Sequence, residues 1–208
     1  MKASIIPSIL SLTDEEIPKA VKLLQKRFNW LQIDVMDGQF VNEKRFSPIF
    51  VKNLKTTMKK EVHLMVQNPE KEVPKYLDAQ SIIFHLEAAN DPYALIRLIK
   101  KNKKKAGIAI NPETRIEEVY HFLTILDKVL IMGVHPGKGG QAFIPSTLQK
   151  IKDVRKQNKN IIIEVDGGIN KTNIKKIFKA GANDLVIGSA LVNGDMEKNM
   201  QHLMRNLK

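Results

Sequence analysis

Eight times along this chain a short aliphatic run gives way to a stretch with helical periodicity, and that alternation limits the fold more than any single motif does. The strand-like runs cover residues 4–10, 30–37, 61–66, 81–85, 105–110, 128–132, 161–166 and 184–187. Helical stretches follow to about Arg27, from Pro48, over 69–76, from Asp91-Pro92, and over 116–123, 145–157, 172–180 and 196–207. Short links between unlike elements call for parallel strands with helical crossovers, and eight such units close a (β/α)8 TIM barrel of α/β class. A doubly wound open sheet is the alternative. It would carry G-x-G-x-x-G after the first strand, and Ser8-Ile9-Leu10-Ser11 contains no glycine. A length of 208 residues predicts a single domain, 1–208.

Composition narrows the setting. With no cysteine there is no disulfide framework, thiolate metal site or Cys nucleophile, which suits a reducing cytoplasm. No basic-then-apolar leader precedes the first strand, and no apolar run reaches the length of a membrane span. A net charge of +12 raises the question of nucleic acid. The lysines are scattered over helix faces, however, with one run at 100–105, and 6% aromatic content offers no stacking platform. Neither nucleic acid nor membrane is expected as a partner; the charge fits a solvated surface with mild steering of an anionic substrate.

Candidate chemistry lies at the strand ends. In the second run Leu31, Ile33 and Val35 alternate with Gln32, Asp34 and Met36, so a carboxylate occupies a position where a buried strand would place an aliphatic. An ionised Asp there is costly unless a cation, hydrogen bonds or a substrate offset the burial. Asp166 repeats the pattern, closing an aliphatic run just before Gly167-Gly168. In a barrel both carboxylates reach the face where active sites sit. His63 alone would read as a satisfied core histidine. On one rim with two carboxylates it forms a divalent-metal constellation, and its nitrogen favours Zn, Fe, Mn or Co over Ca. Met36, Met65 and Met132 are either core gap-fillers or an apolar, polarisable lining. The glycine-rich loop 133–141 is either a flexible connection or, with Gly167-Gly168 and Gly188-Ser189, a phosphate cup of backbone N–H groups.

Taken together, Pro7-Ser8-Ile9-Leu10-Ser11, Ile33-Asp34-Val35-Met36-Asp37-Gly38, His63-Leu64-Met65, His85-Leu86-Glu87, Asn111-Pro112-Glu113-Thr114, Pro136-Gly137 with Gly139-Gly140-Gln141, Asp166-Gly167-Gly168-Ile169 and Gly188-Ser189-Ala190 resemble the ribulose-phosphate 3-epimerase family in order and spacing. The resemblance runs over essentially the whole chain. It implies that Asp34 and Asp166 are the two acid/base groups and also metal ligands, with His63 a third ligand. It further implies contacts to a sugar-phosphate substrate from Ser8, Met36, Met65, Met132, Gly137, Gly139, Gly140, Gly167, Gly168, Gly188 and Ser189. The implied reaction interconverts D-ribulose 5-phosphate and D-xylulose 5-phosphate with a divalent metal ion (Zn, Mn, Fe or Co) as cofactor. The alternatives are another ketose phosphate such as allulose 6-phosphate, or a metal-depleted binder without turnover. A homo-oligomer is expected. Gln32 stands where the family has a fourth ligand His and is the candidate for that position; Gln39 replaces a second family His, and Lys138 a Phe. The decarboxylase and aldolase branch of such barrels is marked by Asp-x-Lys-x-x-Asp, and residues 33–38 lack the Lys.

Overall fold

Continuous Val, Ile and Leu runs are what a parallel strand covered on both faces requires, and in a computed structural model describing residues 3–207 they become β1 (Ser4–Pro7), β2 (Trp30–Asp37), β4 (Lys59–Met65), β5 (Ser81–His85), β6 (Lys105–Ile110), β7 (Lys128–Met132), β8 (Ile162–Asp166) and β9 (Asp184–Ile187). A two-residue strand, β3 (Lys44–Arg45), pairs antiparallel with the end of β2 inside a segment that the sequence presents only as a loop of mixed charge. Met1, Lys2 and Lys208, the ends of the expected domain 1–208, lie outside the described residues. The sheet runs in the order β1-β9-β8-β7-β6-β5-β4-β2-β3, parallel except for the β2–β3 pair. It curls until β1 meets β2 through one parallel bridge, Ser8 to Gln32, which closes the barrel.

The helices are α1 (Ile17–Leu24), α2 (Pro48–Asn53), α3 (Pro69–Glu72), α4 (Pro92–Lys101), α5 (Thr147–Gln157), α6 (Ile174–Ala180), α7 (Ser189–Val192) and α8 (Met196–Leu207). Three begin with one device, a polar cap followed by proline. Ser47, Asn68 and Asp91 accept the N–H groups of Phe50, Lys71 and Ala94, and the prolines after them have no N–H to leave unpaired. Three expectations need correction. The helix expected over 69–76 turns to 3₁₀ geometry after Glu72, because Pro74 cannot donate to an α-helical ladder. The one expected over 116–123 is a 3₁₀ helix, Ile116–Phe122, whose buried Ile116, Val119 and Phe122 recur every third residue. The first strand stops at Pro7.

Helices and sheet enclose the main core, while Ile83, Ala109, Leu130, Met132 and Val134 fill part of the barrel interior. At the amino-terminal end the interior is polar. Lys128, 3% exposed, lies 2.7 Å from Glu61 and 3.0 Å from Asp184, and is also paired with Glu164. Burial and the neighbouring Glu61 push Glu164 well above the usual carboxylate range, against the pull of Lys128. This plug leaves the carboxyl ends of the strands as the open end of the barrel.

Candidate active site

Register brings the key side chains to one level. Asp34 is the parallel partner of His63 on β4, and Asp166 that of Met132 on β7. Between β2 and β8 stand only β1 and β9, so the two carboxylates face each other across the mouth. Gln32, one pleat below Asp34 on the same face, spans them. Its Nε2 donates at 2.7 Å to Asp34 Oδ1 and at 2.7 Å to Asp166 Oδ2. His63 Nδ1 approaches the same oxygens, at 3.1 Å and 3.5 Å. Ser8 completes the shell of Asp34 by donating its hydroxyl to Oδ2 at 2.6 Å. An Asp that is 2% exposed thereby accepts from Ser8 and Gln32 with His63 Nδ1 alongside, and Gln32 Oε1 remains buried without a partner.

Above this cluster opens a small cavity, about 50 Å³, lined by Ser8, Ser11, Asp34, Met65, Met132 and Asp166, and also by Gly137, Gly139, Gly140, Gly167, Gly168, Gly188 and Ser189. The three glycine segments that are separate in sequence thus form one wall. Gly168, at φ +69°, passes so close to Phe143 that a Cβ would meet its backbone at 2.5 Å, a position only glycine can hold. Met36 is buried beside its register partner Met65 but does not line this cavity. Lys138 sits exposed at the mouth, with its ammonium 4.0 Å from Glu43 on the opposite loop.

The same residues can be compared with known proteins. Residues 4–192 match the model of the Ribulose-phosphate 3 epimerase family. The chain belongs to that family. It is 40% identical over 197 residues to a ribulose-phosphate 3-epimerase of Bacillus subtilis (strain 168), covering 90% of this chain and 91% of the relative. With the enzyme of the same name from Schizosaccharomyces pombe it shares 35% over 214 residues, covering 99% and 94%. Among solved structures, 3-hexulose-6-phosphate synthase from Salmonella typhimurium superposes with a TM-score of 0.74 at 15% identity, over 98% of each chain, a likeness of fold. Among the described residues no helix is long and apolar enough to cross a membrane.

In this epimerase-family barrel the charges are strongly coupled. Burial alone would lower the His63 pKa, but hydrogen bonds to Asp166 and Asp34 and their charge raise it to about 9. Asp166 is raised above the usual carboxylate range by burial and by Asp34, against the pull of His63. His85 is pushed down to about 4, chiefly by burial. Asp34, His63 and Asp166 each offer a ligand atom within 4.8 Å of the others, two oxygens and a nitrogen, and this donor set fits a divalent ion. The orphaned Gln32 Oε1 is a further oxygen in the same cluster.

Some of the arrangement escapes sequence reasoning. The bridging role of Gln32 is one case, since period-2 spacing puts it on the face of Asp34 but not within reach of Asp166. The contact of His63 with His85 is another, flagged in sequence only by His85-Leu86-Glu87. Ser11 is a third; its hydroxyl lies beside both Gly139 and Gly188.

Proposed function

We propose that Asp34 and Asp166 are the two acid/base groups of a ribulose-phosphate 3-epimerase acting on D-ribulose 5-phosphate and D-xylulose 5-phosphate. One observation carries this reading: two carboxylates from β2 and β8 converge, with His63, within 4.8 Å at the base of a cavity whose far wall is glycine backbone. Inversion at carbon 3 needs a base on one face and an acid on the other. Either carboxylate can take the proton next to the ketone, leaving an enediolate, while the other returns one to the opposite face. Asp166, whose affinity for protons is raised, suits the donor role in one direction. The Gln32 amide and Ser8 hydroxyl hold the carboxylates in place through the exchange, and Met65 and Met132 keep that side of the cavity apolar.

Asp34, His63 and Asp166 would hold the divalent ion, with Gln32 Oε1 as the candidate fourth ligand. When bound, such an ion supplies positive charge to the oxygens of the developing enediolate. The reading includes a cytoplasmic setting, a homo-oligomer, and a sugar phosphate rather than nucleic acid as partner.

The test is incubation with D-ribulose 5-phosphate in deuterated buffer, followed by NMR. Appearance of D-xylulose 5-phosphate carrying deuterium at carbon 3 is expected. No inversion and no exchange with added Zn, Mn, Fe or Co would sink the proposal, while turnover of allulose 6-phosphate alone would move it to that substrate. The phosphate assignment has a separate check. Gly168→Val would displace Phe143 before it obstructed an anion, so Ser189→Asp is the cleaner probe. A carboxylate there should raise KM for the phosphorylated ketose roughly tenfold, about 1.4 kcal/mol of repulsion and lost hydrogen bonding, with kcat little changed. An unaltered KM would place the anion elsewhere.

A further inference from the structure

His63 faces the carboxylates with Nδ1; its other nitrogen, Nε2, lies 2.9 Å from Nε2 of His85. One proton can occupy that gap. Two carboxylates flank His63 and one flanks His85, so the proton resides on His63. The remaining nitrogen of His85, Nδ1, is 3.2 Å from Glu87 Oε2, which accepts its proton. Glu87 is fixed in turn. Its Oε1 accepts the Asn111 N–H at 2.7 Å and the Thr114 hydroxyl, and the loop carrying both is tied by Lys150 Nζ to the carbonyls of Asn111, Pro112 and Thr114 at 3.1, 2.6 and 2.6 Å. The Phe40 ring packs against His85 in a tilted arrangement, with ring centroids 4.7 Å apart.

We propose that Glu87, acting through His85, sets the tautomer of His63, keeping Nε2 protonated so that Nδ1 presents a lone pair to a divalent cation. Glu87 and His85 are positioning residues, neither lining the cavity. The inference rests on the reading of His63 as a metal ligand. Its logic is one of forced direction. A carboxylate at position 87 can only accept from His85 Nδ1, which leaves His85 Nε2 bare, and a bare Nε2 can only accept from His63. Partners of this kind ordinarily orient metal-bound histidines, and losing one weakens metal binding roughly 10- to 100-fold.

Glu87→Gln reverses the chain with almost no change of shape. The Asn111 N–H can only donate, so the amide oxygen of Gln must stay where Oε1 is, and its NH₂ then points at His85 Nδ1. His85 must carry its proton on Nε2, so His63 Nε2 is left bare to accept it and the one proton of neutral His63 sits on Nδ1, blocking the cation. The experiment combines ¹⁵N-detected histidine NMR with zinc titration, on wild type and variant.

In zinc-loaded wild type, His63 should be protonated at Nε2 and His85 at Nδ1; the reverse pattern would overturn the inference with no variant needed. In Glu87→Gln, His85 should be protonated at Nε2 and zinc affinity should fall roughly 10- to 100-fold. Unchanged protonation in the variant would also overturn it. A switched tautomer with unchanged zinc affinity would instead refute His63 as ligand. Thr114→Val, which leaves the Asn111 donor in place, should keep the wild-type pattern and zinc affinity within about twofold; a switch there would count against Glu87 as the controlling group.

Discussion

Asp34→Asn and Asp166→Asn are each expected to cut epimerisation by roughly three to four orders of magnitude while the protein stays folded. The fold survives because each amide oxygen can still accept from Gln32, and the Ser8 hydroxyl can rotate to accept from the new NH₂ at position 34. The chemistry does not survive, since an amide neither takes nor returns a proton at neutral pH. A sharper signature follows from the two-sided geometry. If each carboxylate serves one face, a single variant should still exchange the carbon-3 proton of one epimer with solvent while failing to invert it, and the two variants should prefer opposite epimers. NMR in deuterated buffer reads both quantities. Near-normal turnover in either variant, or identical exchange preferences in both, would remove the two-base assignment.

That Asp34, His63 and Asp166 meet at one end of the barrel was legible from sequence because strand ends are legible. A buried parallel strand is a continuous aliphatic run, so 81–85, 105–110, 128–132 and 184–187 coincide with β5, β6, β7 and β9, and a carboxylate closing such a run points to the open rim. Proline-led helix starts were legible for a similar reason, since Pro48, Pro69 and Asp91-Pro92 are local signals; the Ser or Thr cap suggested by residues 11–16 was not, because α1 begins after Glu16 with no side-chain cap. The 3₁₀ helix at 116–122 was not, because a period of three is easily read as one of 3.6 over two turns. The four residues of α7 are too few to show any period. The Gln32 bridge was hidden for a different reason. Whether an amide on β2 reaches a carboxylate on β8 depends on where the barrel closes, through the Ser8–Gln32 seam, and no local pattern encodes that distance.

Gln32 therefore leads to the second large effect. With its NH₂ toward both carboxylates, the amide occupies with partial positive charge the place between Asp34 and Asp166 where an ion would neutralise them. To offer Oε1 to a cation it must give up both hydrogen bonds, and a neutral amide oxygen is a poorer ligand for zinc than imidazole. A four-ligand zinc site is worth roughly 10–16 kcal/mol, so one good nitrogen ligand contributes about 3 kcal/mol, or about a hundredfold in affinity. Gln32→His is accordingly expected to raise zinc affinity by about two orders of magnitude, and His63→Ala to lower it in a protein that remains folded. Protons sharpen the contrast. His63, with its pKa raised to about 9, must release a proton before it can bind a cation, so wild-type affinity should climb as pH rises, by about tenfold per unit, and level off near pH 9. Zinc titrations of the three proteins across that range decide the matter: equal affinity for wild type and Gln32→His would show that position 32 does not control the metal, and a flat pH profile would remove His63 from its ligands.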